Sequence, residues 1–233
     1  STNYKLPLRP SVLKEKESTV DVLDRRIDEI NDFYKMAVSN GALFVWAAGN
    51  TTDNGNTTYN APTIQAGMPA YISELHKGWI AAIGVKPDGT EYNPHLAGAA
   101  MWWSISANGN CELAGCSAYG SSFAAPRVTA AAVKVKEKYS WMTGHELKQT
   151  ILTTAKDLGQ PGVDTIFGWG LLDETKALKG PAKFSSELLV GKSAADAGLR
   201  GMFNANIPDN ITSIFENDID GNGGLEKSGN GKL

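Results

Sequence analysis

The 233-residue chain predicts an α/β domain built on a parallel sheet, followed by a small β-rich extension. Three observations carry this. Two unbroken apolar runs, Ala42 to Ala48 and Trp79 to Val85, suit parallel strands covered on both faces. Segments with helical spacing alternate with them, as in βα-type layered sheets. After Leu178 the chain breaks into short stretches separated by Gly, Asn and Asp, the pattern of short strands and turns.

Taken in order, Ser1 to Glu17 is polar, contains Pro7 and Pro10, and reads as an irregular lead-in. A helix follows, with Val20, Leu23, Ile27, Ile30, Tyr34 and Ala37 forming one stripe expected to be buried. Ser18 or Thr19 caps its start, and Asn40-Gly41 ends it. A second helix is expected from near Ser122 to about Tyr139. Its Ala124, Ala125, Ala130, Ala131 and Ala132 allow close packing, and Pro126 is expected in the first turn, where it is tolerated. A third helix starts at Thr143, which with Glu146 matches a capping box. Leu147, Ile151 and Leu152 give its apolar face. Lys179-Gly180-Pro181 then breaks the chain, so the domain boundary is set at residue 180, giving 1–180 and 181–233.

Composition excludes several classes. Hydrophobic residues make up 42%, charged residues 20%, and the formal net charge is −3. No basic patch marks a nucleic-acid partner. No apolar run is long enough for a helical membrane span. The opening Ser1-Thr2-Asn3 has neither an initiator Met nor a signal-peptide pattern, and reads as a fragment or processed product, so compartment stays open. Cys111 and Cys116 are either a small disulfide loop or two free thiols. Two ligands do not complete a structural zinc site.

Candidate chemistry lies in two segments. In Gly120-Ser121-Ser122-Phe123-Ala124-Ala125-Pro126, a tight loop runs into a helix, and Ser122 is expected as the first helical residue. Its hydroxyl would be exposed, with its own N–H free and the helix dipole favouring negative charge. A plain helix-capping Ser is the simpler alternative. In Ala47-Ala48-Gly49-Asn50, an Asn ends a strand where active sites of α/β sheets gather, and its amide can donate to an oxyanion. An Asn that merely turns the chain is the alternative.

Together these segments resemble the subtilisin family, the subtilases, which have Ala-Ala-Gly-Asn ending a strand and Gly-Thr-Ser-Met-Ala-Ser-Pro opening a helix. Phe167-Gly168-Trp169-Gly170-Leu171-Leu172-Asp173 resembles that family's Tyr-Gly-x-Gly-Leu-Ile-Asn segment. The resemblance implies a subtilisin-like parallel-sheet core, with Ser122 as nucleophile and Asn50 in the oxyanion hole. The family's Asp-Ser/Thr-Gly and His-Gly-Thr segments do not occur, so the triad Asp and His are expected outside this chain, in an absent N-terminal part. His76, His95 and His145 lack that context, His145 being read as an exposed helix-start residue, and Asp32 lies within the first helix. Alone, such a fragment is expected to be inactive.

Gly180-Pro181-Ala182-Lys183-Phe184 and the segment Asn217 to Leu233 resemble autotransporter-type subtilases, in which such a segment begins a β-stem. That implies protein or peptide substrates outside the bacterial cell or at its surface, and the N-terminal part of the same protease as a complementing chain. The alternative is a catalytically inactive passenger acting as an adhesion or interaction module. No cofactor is expected. The resemblance raises structural calcium, but the sequence offers no ligand set: Asp218, Asp220 and Asn222 begin like an EF-hand loop, yet Gly229 stands where its Glu belongs. An α/β-hydrolase elbow would need an Asp between Ser122 and His145, and none is present.

Overall fold

Trp79 to Val85 has no polar face, and strand β2 (Trp79–Val85) is buried along its whole length. In the computed structural model, which describes residues 19–50, 58–90 and 95–233, β2 is the middle of a three-stranded parallel sheet in the order β1-β2-β3. β1 (Phe44–Ala47) sets Phe44 opposite Trp79 and Ala47 opposite Ala82. β3 (Ser104–Asn108) sets Ala81 opposite Ser104 and Val85 opposite Asn108. β1 is shorter than its apolar run and only half-buried, so its two faces are not fully covered. The expected lead-in, residues 1–17, and the candidate cap Ser18 lie outside the described residues.

Alternation along the strands divides the core in two. Ile80 and Ala82 of β2, with Ile105 and Ala107 of β3, meet Ala124, Val128, Ala131 and Val135 of helix α3 (Ser121–Lys138). These helical positions recur every three or four residues, so the small side chains form one face and let the helix approach the sheet. Burying each Val of that face contributes roughly 1.5–3 kcal/mol. On the opposite face Ile83 and Val85 pack with Ala48, Ala97 and Phe167.

A one-turn helix, α2 (Ile64–Gly67), lies between β1 and β2, and helix α3 begins one residue before the expected Ser122. Pro126 is therefore its sixth residue, beyond the first turn. Having no N–H, it cannot donate to the carbonyl of Ser122. That carbonyl belongs to an exposed residue, so water can satisfy it. Helix α4 (Gly144–Thr153) opens with the expected capping box between Thr143 and Glu146. Leu147, Ile151 and Leu152 are buried as expected, but Lys148, Gln149 and Thr150 are buried with them.

The segment Phe167 to Asp173 lies along β3. Trp169 N–H donates to Ser104 O at 3.0 Å, and Leu172 N–H to Ser106 O at 2.8 Å. A side chain at Gly168 would place its Cβ 2.3 Å from Ser104 O, at a φ of +66°. Only glycine fits there, which accounts for the first Gly of this Gly-x-Gly motif.

Beyond residue 180 the chain continues the same hydrophobic cluster through Leu188, Leu189 and Phe203. Trp141 donates its indole N–H to Ser213 Oγ at 2.7 Å, and the Tyr139 hydroxyl donates to Ile214 O at 2.9 Å. Residues 186–196 were expected as strands but form two short helices, α6 (Ser186–Leu189) and α7 (Lys192–Asp196), after α5 (Glu174–Ala177). Leu, Ala, Glu and Lys are strong helix formers, and Gly191 at φ +89° separates the two turns. β4 (Met202–Asn206) then pairs in parallel with β5 (Gly224–Ser228), Met202 opposite Gly224. Single parallel bridges, Lys183 to Asp220 and Thr212 to Lys232, lie before and after this pair.

Residues 1–37 form a separate unit from 38–233. Most of helix α1 (Thr19–Ser39) lies in it. Of its expected apolar stripe, Ile27 is 51% exposed and Ile30 40%, Tyr34 and Ala37 are half-buried, and the side chains of Val20 and Leu23 lie outside the described residues. Among the described residues, no helix is long and apolar enough to cross a membrane.

Candidate active site

The carboxyl ends of β1, β2 and β3 converge on the start of α3. Ala48 N–H continues the sheet by donating to Ala82 O at 2.8 Å, and the chain then turns through Gly49 to Asn50. From β3, Gly109 N–H donates to Val85 O and Gly120 N–H to Gly109 O, both at 2.8 Å. These bonds place Gly120, Ser121 and Ser122 beside Asn50.

The contact between the two segments is specific. Asn50 Oδ1 accepts from Ser121 N–H at 2.8 Å and from Ser121 Oγ at 3.2 Å. Ser121 Oγ also lies 3.0 Å from both Gly49 N and Gly49 O, where it accepts from the N–H. Ser121 is fully buried. The first turn of a helix has N–H groups without intrahelical acceptors, and Gly120 has no side chain to cap them. Asn50 supplies that cap from another element. With Oδ1 so engaged, the Asn50 amide N–H₂ is the end left to donate elsewhere. A Cβ on Gly120 would stand 2.8 Å from Asn50 Oδ1 and 3.0 Å from Nδ2, so glycine is needed for this approach.

Ser122 is exposed, one residue beyond the clamp. As the second residue of α3, its N–H also lacks an intrahelical acceptor, and the helix dipole favours negative charge beside it. The two expected site residues, Ser122 and Asn50, are thus brought together. Ser121, read in the sequence only as a replacement for Thr, is the residue that joins them. Its signal was the hydroxyl retained directly before the candidate nucleophile.

None of the three histidines serves Ser122 among the described residues. His95 packs against Gly49, where a Cβ would lie 2.6 Å from its ring. Its Nδ1 faces Ala61 O at 2.8 Å, which assigns the proton to Nδ1, and its ring stacks on Tyr59 at 4.6 Å. His76 and His145 lie toward the other end of the sheet. His76 lies in the short 3₁₀ segment Ser73–Gly78 directly before β2 and packs edge-on to Trp103 at 5.6 Å. β2 alone separates that end from Asn50 by about 20 Å. Burial, then the Lys148 charge, then His145 push the His76 imidazole down to about 2. His145 is not exposed as expected. Its Nε2 approaches Leu188 O at 3.4 Å, and burial lowers its pKa. Lys148 is fully buried and donates to His76 O, and burial brings its ammonium down to about 7. Asp32 is exposed on α1.

The two cysteines, left open by the sequence, are joined: a Cys111–Cys116 disulfide closes a short loop before Gly120. Asp220 pairs with Lys183 at 3.6 Å, while Asn222 Oδ1 accepts from Ser186 N–H at 2.8 Å. Among the described residues no cluster of three or more acidic, His or Cys side chains converges on a metal position.

The subtilase family profile matches residues 11–170. The chain belongs to the subtilase family. Its three-stranded parallel sheet and central helix are part of an α/β subtilisin-like core. Among curated relatives, the Neisserial autotransporter lipoprotein NalP of Neisseria meningitidis is 35% identical over 211 residues, 82% of this chain and 18% of that protein. Serotype-specific antigen 1 of Mannheimia haemolytica is 34% identical over 166 residues, 65% of this chain and 17% of that protein. An extracellular serine protease of Serratia marcescens is 32% identical over 136 residues, 49% of this chain and 13% of that protein. The subtilase chain therefore spans less than a fifth of the length of each of these relatives.

Proposed function

We propose that this chain is the nucleophile-bearing part of a secreted serine endopeptidase that hydrolyses peptide bonds in protein substrates. One observation carries the reading: Asn50 caps α3 through Ser121, which leaves its amide N–H₂ free beside the exposed Ser122. The mechanism follows from that arrangement. Ser122 Oγ attacks the substrate carbonyl. A His outside this chain takes its proton and later returns it to the leaving amine, while an Asp, also outside it, orients the imidazole. Asn50 Nδ2 and the Ser122 N–H donate to the tetrahedral oxyanion.

The names of the relatives support an extracellular or cell-surface location, and a disulfide suits an oxidising compartment. In this reading, residues 181–233 begin a stem. The support is successive parallel pairings, Met202 with Gly224 and Thr212 with Lys232, in the manner of stacked turns. A partner segment of the same protease supplies the triad His and Asp. The test is digestion of a denatured protein substrate by the full-length protein that carries this chain. Fragments with new N-termini are expected, and none from Ser122→Ala. Equal digestion by both overturns the assignment of Ser122.

A second reading has one observation behind it. Among the described residues no imidazole bonds to Ser122, as in an inactive passenger that serves as an interaction module. Lack of digestion by a folded full-length protein favours it.

A further inference from the structure

The loop that delivers Ser122 is held by a clamp that the proposed mechanism does not use. Between Asn108 and Gly120 the chain forms a hairpin, with Asn110 bridged to Tyr119 and Cys111 N–H donating to Ala118 O at 2.9 Å. The Cys111–Cys116 disulfide closes it. Residues 112–115 and 117–119 are exposed, and Leu113 at the tip is 76% exposed. Apolar burial therefore does little to fix the hairpin. Polar contacts from the nucleophile helix fix it instead. Arg127, five residues beyond Ser122 on α3, donates from Nη2 to Asn110 O at 3.1 Å. The same nitrogen pairs with Glu112 Oε2 at 3.0 Å. The other oxygen of Glu112 accepts from Asn108 Nδ2 at 2.8 Å. Arg127 Nε is buried with no hydrogen-bond partner among the described residues. The guanidinium thus leaves one donor unpaired while it keeps these two contacts.

We propose that Arg127 is a positioning residue for Ser122: through Glu112 and Asn110 it holds the disulfide-closed hairpin, and through the hairpin it sets Gly120 against Asn50. The path is a closed ring. It runs from Ser122 along one rigid helix to Arg127, across to Asn110 and Glu112, around the hairpin, and back through Gly120. Opening the ring at Arg127 removes the hairpin's tie to α3 and leaves the approach to Gly120 held by the backbone bonds at the hairpin's base, Gly120 N–H to Gly109 O and Gly109 N–H to Val85 O. Their fit to Asn50 tolerates no slack, because Asn50 Oδ1 and Ser121 N are 2.8 Å apart. The ion pair is partly exposed, with side-chain exposures of 31% for Arg127 and 62% for Glu112, so its contribution to global stability is small. Positioning and stability are therefore separable by measurement.

This inference rests on Ser122 being the nucleophile, and the test separates the two. The rate of fluorophosphonate labelling is measured on the full-length protein that carries this chain, with thermal midpoints recorded alongside. Arg127→Ala is expected to slow labelling roughly 10-fold with little change in midpoint, since small misplacements near reacting atoms cost rate steeply. A single nitrogen serves both acceptors, so Arg127→Lys is expected to restore most of the rate. Glu112→Gln, at an exposed position with little risk to folding, is expected to slow labelling in the same direction, as is reduction of the disulfide. Wild-type labelling with unchanged rates in Arg127→Ala and Glu112→Gln overturns the proposal while leaving Ser122 as nucleophile. Equal loss of rate and midpoint in both variants, without rescue by Lys, also overturns it. No labelling of the wild type overturns the nucleophile reading itself.

Discussion

The two ends of strand β2 hold opposite kinds of polar chemistry. At the carboxyl end the groups are uncharged: Asn50, Ser121, Ser122 and backbone N–H groups, set by hydrogen bonds of 2.8–3.2 Å. At the amino end they are basic, with Lys148 buried and His76 and His145 half-buried, and all are displaced from their ordinary titration ranges. Perturbed titration is often used to find active sites. Here it points away from the proposed site. The proposed nucleophile and oxyanion donor do not titrate in the accessible range. Lys148 ties α4 to the 3₁₀ segment that leads into β2, and its displacement is the consequence of that burial. What marks the candidate site is a clamp between two backbone turns and the glycine that allows it.

The largest expected effect breaks this comparison at the carboxyl end. Asn50→Asp keeps an acceptor for Ser121 N–H but loses the amide donors, so folding should persist while labelling of Ser122 falls about 100- to 1,000-fold. Asn50→Ala should lose the same rate and in addition about 1 kcal/mol of helix capping, seen as a lower thermal midpoint. If Asn50→Asp labels at the wild-type rate, the amide is a cap and nothing more. A somewhat smaller effect is expected from Gly120→Ala. Its methyl would press on the Asn50 amide at 2.8 Å, and a displacement of that order costs roughly 100-fold in labelling. An unchanged rate would show that the clamp relaxes without consequence.

The smallest effect sharpens the amino end. A basic group whose folded pKa is depressed binds fewer protons folded than unfolded between its two pKa values, so stability rises with pH across that window. For His76 the window runs from about 2 to the ordinary 6.5. Stability should therefore fall on acidification below pH 6.5, by at most about 1.4 kcal/mol per pH unit for this group. His145 acts in the same direction. Lys148 acts in a higher window, from about 7 to 10.5, where stability should rise with pH. Thermal melts of wild type and His76→Asn at pH 5 and pH 7 test this. The variant should lose less on acidification. Equal losses would show that His76 does not titrate as its surroundings imply.

Much of the catalytic half of this picture was legible in the residues. The apolar runs at 42–48 and 79–85 marked two strands because parallel strands with both faces covered need no polar alternation. Thr143 and Glu146 marked a helix start because a capping box is local. Motif order picked out Ser122 and Asn50 as candidates, and the structure joins their two segments through Ser121. β3 was not legible. Its Ser104 and Ser106 read as polar, yet both are buried, with their hydroxyls donating to Ala100 O at 2.8 Å and Phe167 O at 3.1 Å. Those acceptors lie 4 and 61 residues away, so pattern alone gave no sign of them. The buried Lys148 and the half-buried His145 were missed for the same reason, since their acceptors, His76 O and Leu188 O, are distant in sequence. The helices at 186–196 were missed because Gly191 and nearby turn residues outweighed short runs of good helix formers.

The most direct measurement is fluorophosphonate labelling of the folded full-length protein that carries this chain, with a Ser122→Ala control. The account predicts one labelled serine, mapped to Ser122 and absent from the control. A folded protein that takes up no label, or a control that labels as fast as wild type, would contradict it.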